Sequence, residues 1–232
     1  MWGLNAHAGR RIGGLRAGIW LDDQVYRGAI GFAGEVGHTT FLPDGPLCNC
    51  GNRGCWETFA SQKALIERLR AGVAAGEKTS LPVSGGRLAD VTMPLIVEAA
   101  RAGDPLVLSA LEEVGGYLGL VIANLINTFN PNMVVSGGAL SLADTFLLPP
   151  IRRTVAERAI SWAREAANIV VAAHRFDSCV MGGVALVLHD MLSHPRLDVP
   201  VGRRSSDGKF SRKVVMPVTD PKREILTSGQ QI

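Results

Sequence analysis

Three of the four cysteines of this chain fall within eight residues, and a histidine stands ten positions before the first of them. These residues are His38, Cys48, Cys50 and Cys55. Three thiolates and one imidazole are a standard ligand set of structural zinc sites, in which four ligands form a tetrahedron. Gly51 and Gly54 permit the unusual backbone dihedrals that a tight wrap around an ion requires. The spacing therefore predicts one structural zinc ion per chain, with no open position for a catalytic water.

Two other interpretations of this cluster stay open at the level of sequence. A disulfide would leave one of the three clustered cysteines unpaired, and cytoplasmic thiols are normally reduced. Alternatively, the three cysteines and His38 are unrelated. The fourth cysteine, Cys179, lies far along the chain in a predicted helix, where we expect it to pack in the core.

Two glutamates flank the predicted zinc site. Glu35 stands three residues before His38, and Glu57 stands two residues after Cys55. An ion that fixes the loop would also fix these carboxylates, and rigid acceptors beside an imidazole can bind several hydroxyls of a polyol at once. The alternative is that both glutamates are solvated loop charges, and spacing alone does not decide between the two.

The composition is that of a globular protein: 47% of the 232 residues are hydrophobic and 19% are charged. The formal net charge is +3, but residues 201–232 alone contribute +4, so the rest of the chain is nearly neutral and offers no broad basic face to nucleic acid. The N-terminus lacks the apolar run of a secretory signal. The apolar stretch 114–129 is shorter than the roughly 20 residues that cross a bilayer, which indicates a buried core helix. We therefore expect a cytoplasmic protein with no membrane partner.

Short apolar segments alternate with helical periodicity along the chain, which is typical of an α/β layered fold. Strands are predicted at 15–21, 24–26, 133–136 and 169–173, with the pair Asp22-Asp23 as the turn between the first two. Helices are predicted at 61–74, 93–101, 105–129, 144–160 and 178–192, and Asp104, followed by Pro105, is the predicted N-cap of the third. Residues 77–90 are predicted to be a loop. Residues 1–195 are expected to form one lobe, and residues 196–232 a basic, flexible tail.

The glutamates, the histidine and the cysteines occur in a recognisable order. The motif begins with Gly34-Glu35-Val36-Gly37-His38. Ten positions after His38 it continues with Cys48-Asn49-Cys50-Gly51-Asn52-Arg53-Gly54-Cys55-Trp56-Glu57. This order and spacing resemble the zinc and sugar motif of the ROK family, whose members are repressors, open reading frames and sugar kinases. Further segments agree, among them Ala102-Gly103-Asp104 and Val134-Val135-Ser136-Gly137-Gly138. The resemblance covers residues 12–195. It implies an actin-like ATPase (ribonuclease H-like) α/β lobe with an inserted zinc-binding loop.

The resemblance also implies roles for particular residues. It makes His38 both a zinc ligand and a sugar contact, and it makes Glu35 and Glu57 acceptors for sugar hydroxyls. Gly137 and Gly138 match the nucleotide-side loop of the kinase members. The implied cofactor is zinc, and the implied partners are a small sugar, other copies of the chain in a homo-oligomer, and DNA, the last only through a segment absent from this chain.

Two motifs of the kinase members are missing, namely the Asp-x-Gly-x-Thr phosphate loop and an Asn-Asp pair whose aspartate is the catalytic base. Phosphoryl transfer needs a phosphate cradle, a metal and a positioned base together, so catalysis by this chain alone is not expected. The segment 186–195 resembles the end of the family repressors. We therefore predict the sugar-sensing regulatory lobe of a ROK-family transcriptional regulator. The alternatives are an incomplete glucokinase-like kinase that phosphorylates hexoses with ATP, and a non-functional gene fragment.

Overall fold

The computed structural model describes the backbone of residues 3–4 and all atoms of residues 14–193. The chain divides into two compact units, Met1–Gly182 and Gly183–Ile232. Residues 183–193, the described part of the second unit, are helical. The predicted basic tail, residues 196–232, lies outside the described residues. The tail and the domain boundary at residue 195 therefore stay predictions.

The strands of the described residues are short. They are β1 (Gly3–Leu4), β2 (Ala17–Gly18), β3 (Trp20–Leu21), β4 (Gln24–Val25), β5 (Val83–Ser84), β6 (Arg87–Leu88), β7 (Met133–Ser136) and β8 (Asn168–Val171). One sheet has the order β2-β1-β7-β8, in which β1, β7 and β8 are parallel and β2 is antiparallel to β1. β3 and β4 form a hairpin whose turn residues, Asp22 and Asp23, have φ values of 48° and 59°, as a type I′ turn requires. The predicted aspartate turn is thus confirmed.

Nearly half of the described residues lie in α-helices. They are α1 (Glu57–Ala60), α2 (Gln62–Ala74), α3 (Met93–Arg101), α4 (Pro105–Phe129), α5 (Asp144–Arg158), α6 (Ser161–Ala166) and α7 (Ser178–Ser193). Helices α3 and α4 and strand β7 have the predicted bounds, whereas α5 ends two residues before the predicted Ile160. The prediction of a plain loop at 77–90 is wrong, because β5 and β6 pair there across Gly85 and Gly86. Strands of two residues are too short to produce a readable alternation of apolar and polar positions.

Helix α4 is the centre of the core, as its apolar sequence predicts. Twelve of its residues are buried, and it packs closely along α5. A Cβ atom on Gly115 would lie 2.4 Å from the Pro150 side chain, and one on Gly119 would lie 2.7 Å from the side chain of Thr154. Glycine costs helix stability, but at these two positions it lets the axes of α4 and α5 approach.

The start of α4 is fixed by Asp104, which is 5% exposed. Its Oδ1 accepts a hydrogen bond from Val107 N at 3.0 Å, which is the predicted N-cap. Its Oδ2 accepts hydrogen bonds from Thr79 Oγ1 at 2.8 Å and from Ser80 N at 2.5 Å. Burial alone would raise the pKa of Asp104, but these hydrogen bonds outweigh burial and lower that pKa below its ordinary value. The carboxylate therefore ties the segment before β5 to α4.

Two helical stretches among the described residues are long and apolar enough to cross a membrane by length and composition: Pro105–Phe129 and Arg175–Ser193. In the first, 61% of the most apolar window is buried inside the protein, as expected of a core helix.

Candidate functional site

Backbone hydrogen bonds close the loop that carries the cysteines. Trp56 N donates to Thr39 O at 3.0 Å, so the two ends of the loop lie side by side. Within the loop, Cys48 N donates to Asn52 O at 2.8 Å and Gly54 N donates to Pro46 O at 2.9 Å. These bonds bring the predicted ligands from both ends of the loop to one place.

The structure does bring His38, Cys48, Cys50 and Cys55 together: their ligand atoms all lie within 4.8 Å of one another. Cys50 Sγ is 3.6 Å from Cys55 Sγ, and Cys48 Sγ is 3.7 Å from His38 Nδ1. In a tetrahedral site with Zn–S bonds of about 2.3 Å, two sulfur ligands are separated by roughly 3.8 Å. The group therefore has the donor set and the spacing that a metal ion such as zinc requires. Cys48, Cys50 and Cys55 are not joined by a disulfide, so the disulfide interpretation finds no support here.

The three thiols differ in environment. Burial, together with the hydrogen bond that the thiol donates to Glu57, raises the pKa of Cys48 to about 12. Burial likewise raises the pKa of Cys55. Cys50 is exposed, and a backbone hydrogen bond at Asn52 lowers the pKa of its thiol. A metal ion that binds here must displace protons from the two buried thiols, because thiolates are the ligands.

The imidazole of His38 lies between two carboxylates. Its Nδ1, the nitrogen beside Cys48, is 3.7 Å from Glu57 Oε1, and its Nε2 is 3.9 Å from Glu35 Oε2. Glu57 Oε1 accepts a hydrogen bond from the Cys48 thiol at 3.0 Å. The nitrogen that faces the cysteines is thus distinct from the one that faces Glu35.

Glu35 has a further neighbour that the sequence did not indicate. Arg16 Nε forms an ion pair with Glu35 Oε2 at 3.1 Å. Its geometry is not that of a hydrogen bond, and this buried oxygen has no hydrogen-bond partner among the described residues. Glu35 Oε2 therefore keeps unused hydrogen-bonding capacity, but the atom is buried, and a ligand reaches it only when neighbouring groups move. The role of Arg16 depends on a contact across the fold, and no spacing in the sequence predicts it.

A cavity of about 780 Å³ opens beside the cluster. Its walls include three of the four cluster residues, His38, Cys48 and Cys50, together with Glu57 and Arg16. Helix α2 contributes further residues to the wall, among them Lys63, Glu67 and Arg68. Glu35 is not part of this wall, and its contact with the cluster is the 3.9 Å approach of its Oε2 to His38 Nε2. The volume falls in the range of small-molecule sites.

The turn Gly137–Gly138 lies elsewhere, directly after β7, and neither glycine lines this cavity. Gly138 has a φ of 82°, and its amide donates to Arg175 O at 3.0 Å and to Ser178 Oγ at 3.1 Å. The nucleotide contact predicted for this pair stays a prediction.

Cys179, expected in the core, is only half-buried, because α7 has no buried residue among its described positions.

Comparison with known proteins identifies the family. Residues 11–190 match the sequence profile of the ROK family, and the chain belongs to this family. The xylose repressor of Caldicellulosiruptor bescii is 37% identical over 182 residues, which cover 78% of this chain and 45% of the repressor. The chain thus spans about half the length of the curated relatives it matches.

Solved structures of both ROK regulators and ROK kinases share the fold. A ROK family transcriptional regulator, described as a homolog of the E. coli MLC protein, is 37% identical with a TM-score of 0.67, covering 77% of this chain and 45% of that one. A ROK family glucokinase from Streptomyces griseus, in complex with glucose and AMPPNP, is 30% identical with a TM-score of 0.65, covering 80% of this chain and 58% of the kinase. The predicted family and the α/β, ATPase-like fold are confirmed.

Proposed function

We propose that this chain is the sugar-sensing part of a ROK-family transcriptional regulator, with one zinc ion on His38, Cys48, Cys50 and Cys55. The observation that carries the proposal is the position of His38. Its ring lies against the cysteine cluster on one side and between two carboxylates, at the wall of the cavity. The similarity to a xylose repressor and to a ROK transcriptional regulator supports the regulatory half of the proposal.

Zinc has a structural role in this proposal. When bound, it would hold the loop closed and keep the cysteines as thiolates. The nitrogen of His38 that faces Cys48, Nδ1, is the one placed to bind the metal. A ring nitrogen bound to a metal leaves the proton on the other nitrogen. His38 Nε2–H would then be a donor with a fixed direction.

The ligand would be a sugar bound by its hydroxyl groups. Glu57 lines the cavity, whereas Glu35 lies behind the His38 ring, with its Oε2 3.9 Å from His38 Nε2, and would reach the sugar when that contact opens. Two carboxylates and one N–H donor match the alternating donors and acceptors of adjacent hydroxyls. Because the metal-bound loop fixes these groups before the ligand arrives, little ordering cost is left for binding.

A regulatory role is favoured over catalysis because the ROK transcriptional regulator, at 37% identity, is more similar to this chain than the ROK glucokinase, at 30% identity. The second candidate function is part of a hexose kinase, which the likeness to a glucokinase in complex with glucose and AMPPNP favours. In the regulator, a segment outside residues 11–190 would contact DNA, and the protein would act as a cytoplasmic homo-oligomer.

Ligand-observed NMR with D-xylose and D-glucose tests the sugar site. Each charge-assisted hydrogen bond is worth roughly 1.5–3 kcal/mol, so Glu57→Gln and Glu35→Gln should each weaken binding roughly 10- to 100-fold. Glu98→Gln, on the exposed face of α3, is the matched control and should bind as the wild type does. Equal affinities in all three zinc-loaded variants would place the sugar elsewhere.

An ADP-release assay with ATP, Mg²⁺ and glucose separates the two candidate functions. The regulator proposal expects no turnover by this chain above the rate without sugar. Turnover that disappears in Glu57→Gln would establish the kinase instead.

A further inference from the structure

We propose that Arg68 and Tyr117 are positioning residues, which hold Glu57 at the cavity wall by anchoring the short helix α1 to helix α4. The inference deepens the proposed sugar site and rests on that function for its ligand. Neither residue belongs to the cysteine cluster, and Tyr117 does not line the cavity. An effect of Tyr117 on ligand binding would therefore be indirect.

The residue between the last cluster cysteine and Glu57 is already tied to α4. Trp56 is fully buried, and its Nε1 donates a hydrogen bond to Tyr117 O at 2.9 Å. Cys55 and Glu57 are its direct neighbours in the chain. The direction in which Glu57 leaves the backbone is thus set relative to α4 as well as relative to the loop.

Both ends of the cysteine loop pack on one ring. Phe41, three residues after His38, lies 5.5 Å from the Tyr117 ring centroid in an edge-to-face contact. Phe59, two residues after Glu57, lies 5.4 Å from the same centroid and 5.2 Å from that of Phe41. Such aromatic pairs add roughly 0.5–1.5 kcal/mol each beyond the area they bury. Tyr117 therefore joins the segments that enter and leave the loop.

Arg68 completes the anchor from α2. Its Nη1 donates to Phe59 O at 3.2 Å, and its Nε and Nη2 donate to the two carboxylate oxygens of Glu113 at 2.6 Å and 2.5 Å. The guanidinium also lies 5.2 Å from the Tyr117 centroid. One side chain thus contacts α1 and α4 at the same time.

Helix α1 needs this support because it is four residues long. A single turn has almost no stability of its own, and its last carbonyl groups have no partner inside the helix. Arg68 supplies a donor to one of these carbonyls, and Tyr117 supplies the surface on which α1 rests. Without them, Glu57 would keep its place in the sequence but not its direction toward the cavity.

The test compares substitutions that keep or remove these contacts in the zinc-loaded chain. The contacts described above use the ring and the main chain of Tyr117, so Tyr117→Phe should bind sugar as the wild type does, whereas Tyr117→Ala should bind at least tenfold more weakly. Arg68→Met should weaken binding similarly. Arg101→Met, which removes an exposed arginine of α3 outside the cavity wall, is the control and should leave the affinity unchanged.

A purely structural role would lower the unfolding temperature and leave sugar affinity unchanged at a temperature where each variant is fully folded. The proposal would be overturned if Tyr117→Ala and Arg68→Met each bind one zinc ion and bind sugar with wild-type affinity. If Tyr117→Ala does not fold, Arg68→Lys provides the same comparison, because it keeps the charge but loses the bidentate contact with Glu113.

A second measurement needs no sugar. Amide hydrogen exchange at residues 58–60 should be at least tenfold faster in Arg68→Met than in Arg101→Met. Unchanged exchange there would refute the anchor. Absence of sugar binding by the wild-type chain would instead count against the proposed function, so the two failures are distinguishable.

Discussion

The backbone at Gly54 offers a stringent test of how the cysteine loop is held. Gly54 has a φ of 64°, and a Cβ atom there would lie 1.5 Å from Leu42 O. To restore a separation of 3.0 Å the two atoms must move apart by 1.5 Å, but Leu42 O accepts a hydrogen bond from Gly45 N at 2.8 Å. Cys55 follows Gly54 directly. We therefore expect Gly54→Ala to displace a ligand of the cluster.

Gly51→Ala is the matched control for this substitution. Gly51 has a φ of 94°, but a Cβ atom there meets nothing within 4 Å. Alanine at positive φ costs roughly 1–2 kcal/mol in strain alone. At Gly54, overpacking of roughly 1–3 kcal/mol and a disturbed hydrogen bond of roughly 0.5–1.5 kcal/mol come in addition. The expected cost is thus roughly 2.5–6.5 kcal/mol at Gly54 against roughly 1–2 kcal/mol at Gly51.

When zinc binds only the ordered loop, its affinity falls by the free energy that each substitution adds to ordering the loop. Competition with a chromophoric chelator measures this affinity. We expect a loss of zinc affinity of roughly 5- to 30-fold for Gly51→Ala and of roughly 70-fold or more for Gly54→Ala. Circular dichroism shows whether the rest of each variant remains folded. Equal zinc affinities of the two folded variants would refute the idea that the close approach at Gly54 sets the ligand geometry.

Three further predictions concern the metal, the pH dependence and the core. Elemental analysis should find one zinc per chain in the wild type and clearly less in Cys50→Ser; equal content would refute the ligand assignment. Because folding lowers the pKa of Asp104, the ionised carboxylate stabilises the folded state fully above its ordinary pKa of 3.8. This stabilisation is lost as the pH falls through the lowered pKa of the folded state. The free energy of unfolding in urea should therefore fall less steeply with decreasing pH in Asp104→Asn than in the wild type. Gly119→Ala should lower the free energy of unfolding by roughly 1–3 kcal/mol. Gly116→Ala, whose Cβ meets only one atom at 4.0 Å, should be neutral or should raise it by up to about 1 kcal/mol. The reverse order in urea unfolding would contradict the close packing of α4 on α5.

The sequence by itself determined the features that depend on near neighbours in the chain. The cysteine spacing placed three potential ligands in one loop, Asp104 and Pro105 defined the start of α4, and the aspartate pair before β4 defined its turn. Capping, turn formation and ligand spacing act over a few residues, so the pattern of residue types is sufficient to find them. The family followed from the same local motif.

The tertiary structure decided which side chains meet across longer distances. The sequence did not indicate that Arg16 pairs with Glu35, or that Arg68 reaches Glu113 from a position 45 residues away. It also did not show that the indole of Trp56 bonds to a carbonyl 61 residues along the chain. Such contacts depend on how the helices pack and on which side-chain rotamers are allowed in the packed structure. Neither helix packing nor rotamer choice produces a periodic pattern in the sequence. The sequence therefore indicated the groups that can bind, whereas the packing of α1 and α2 on α4 decided where those groups point.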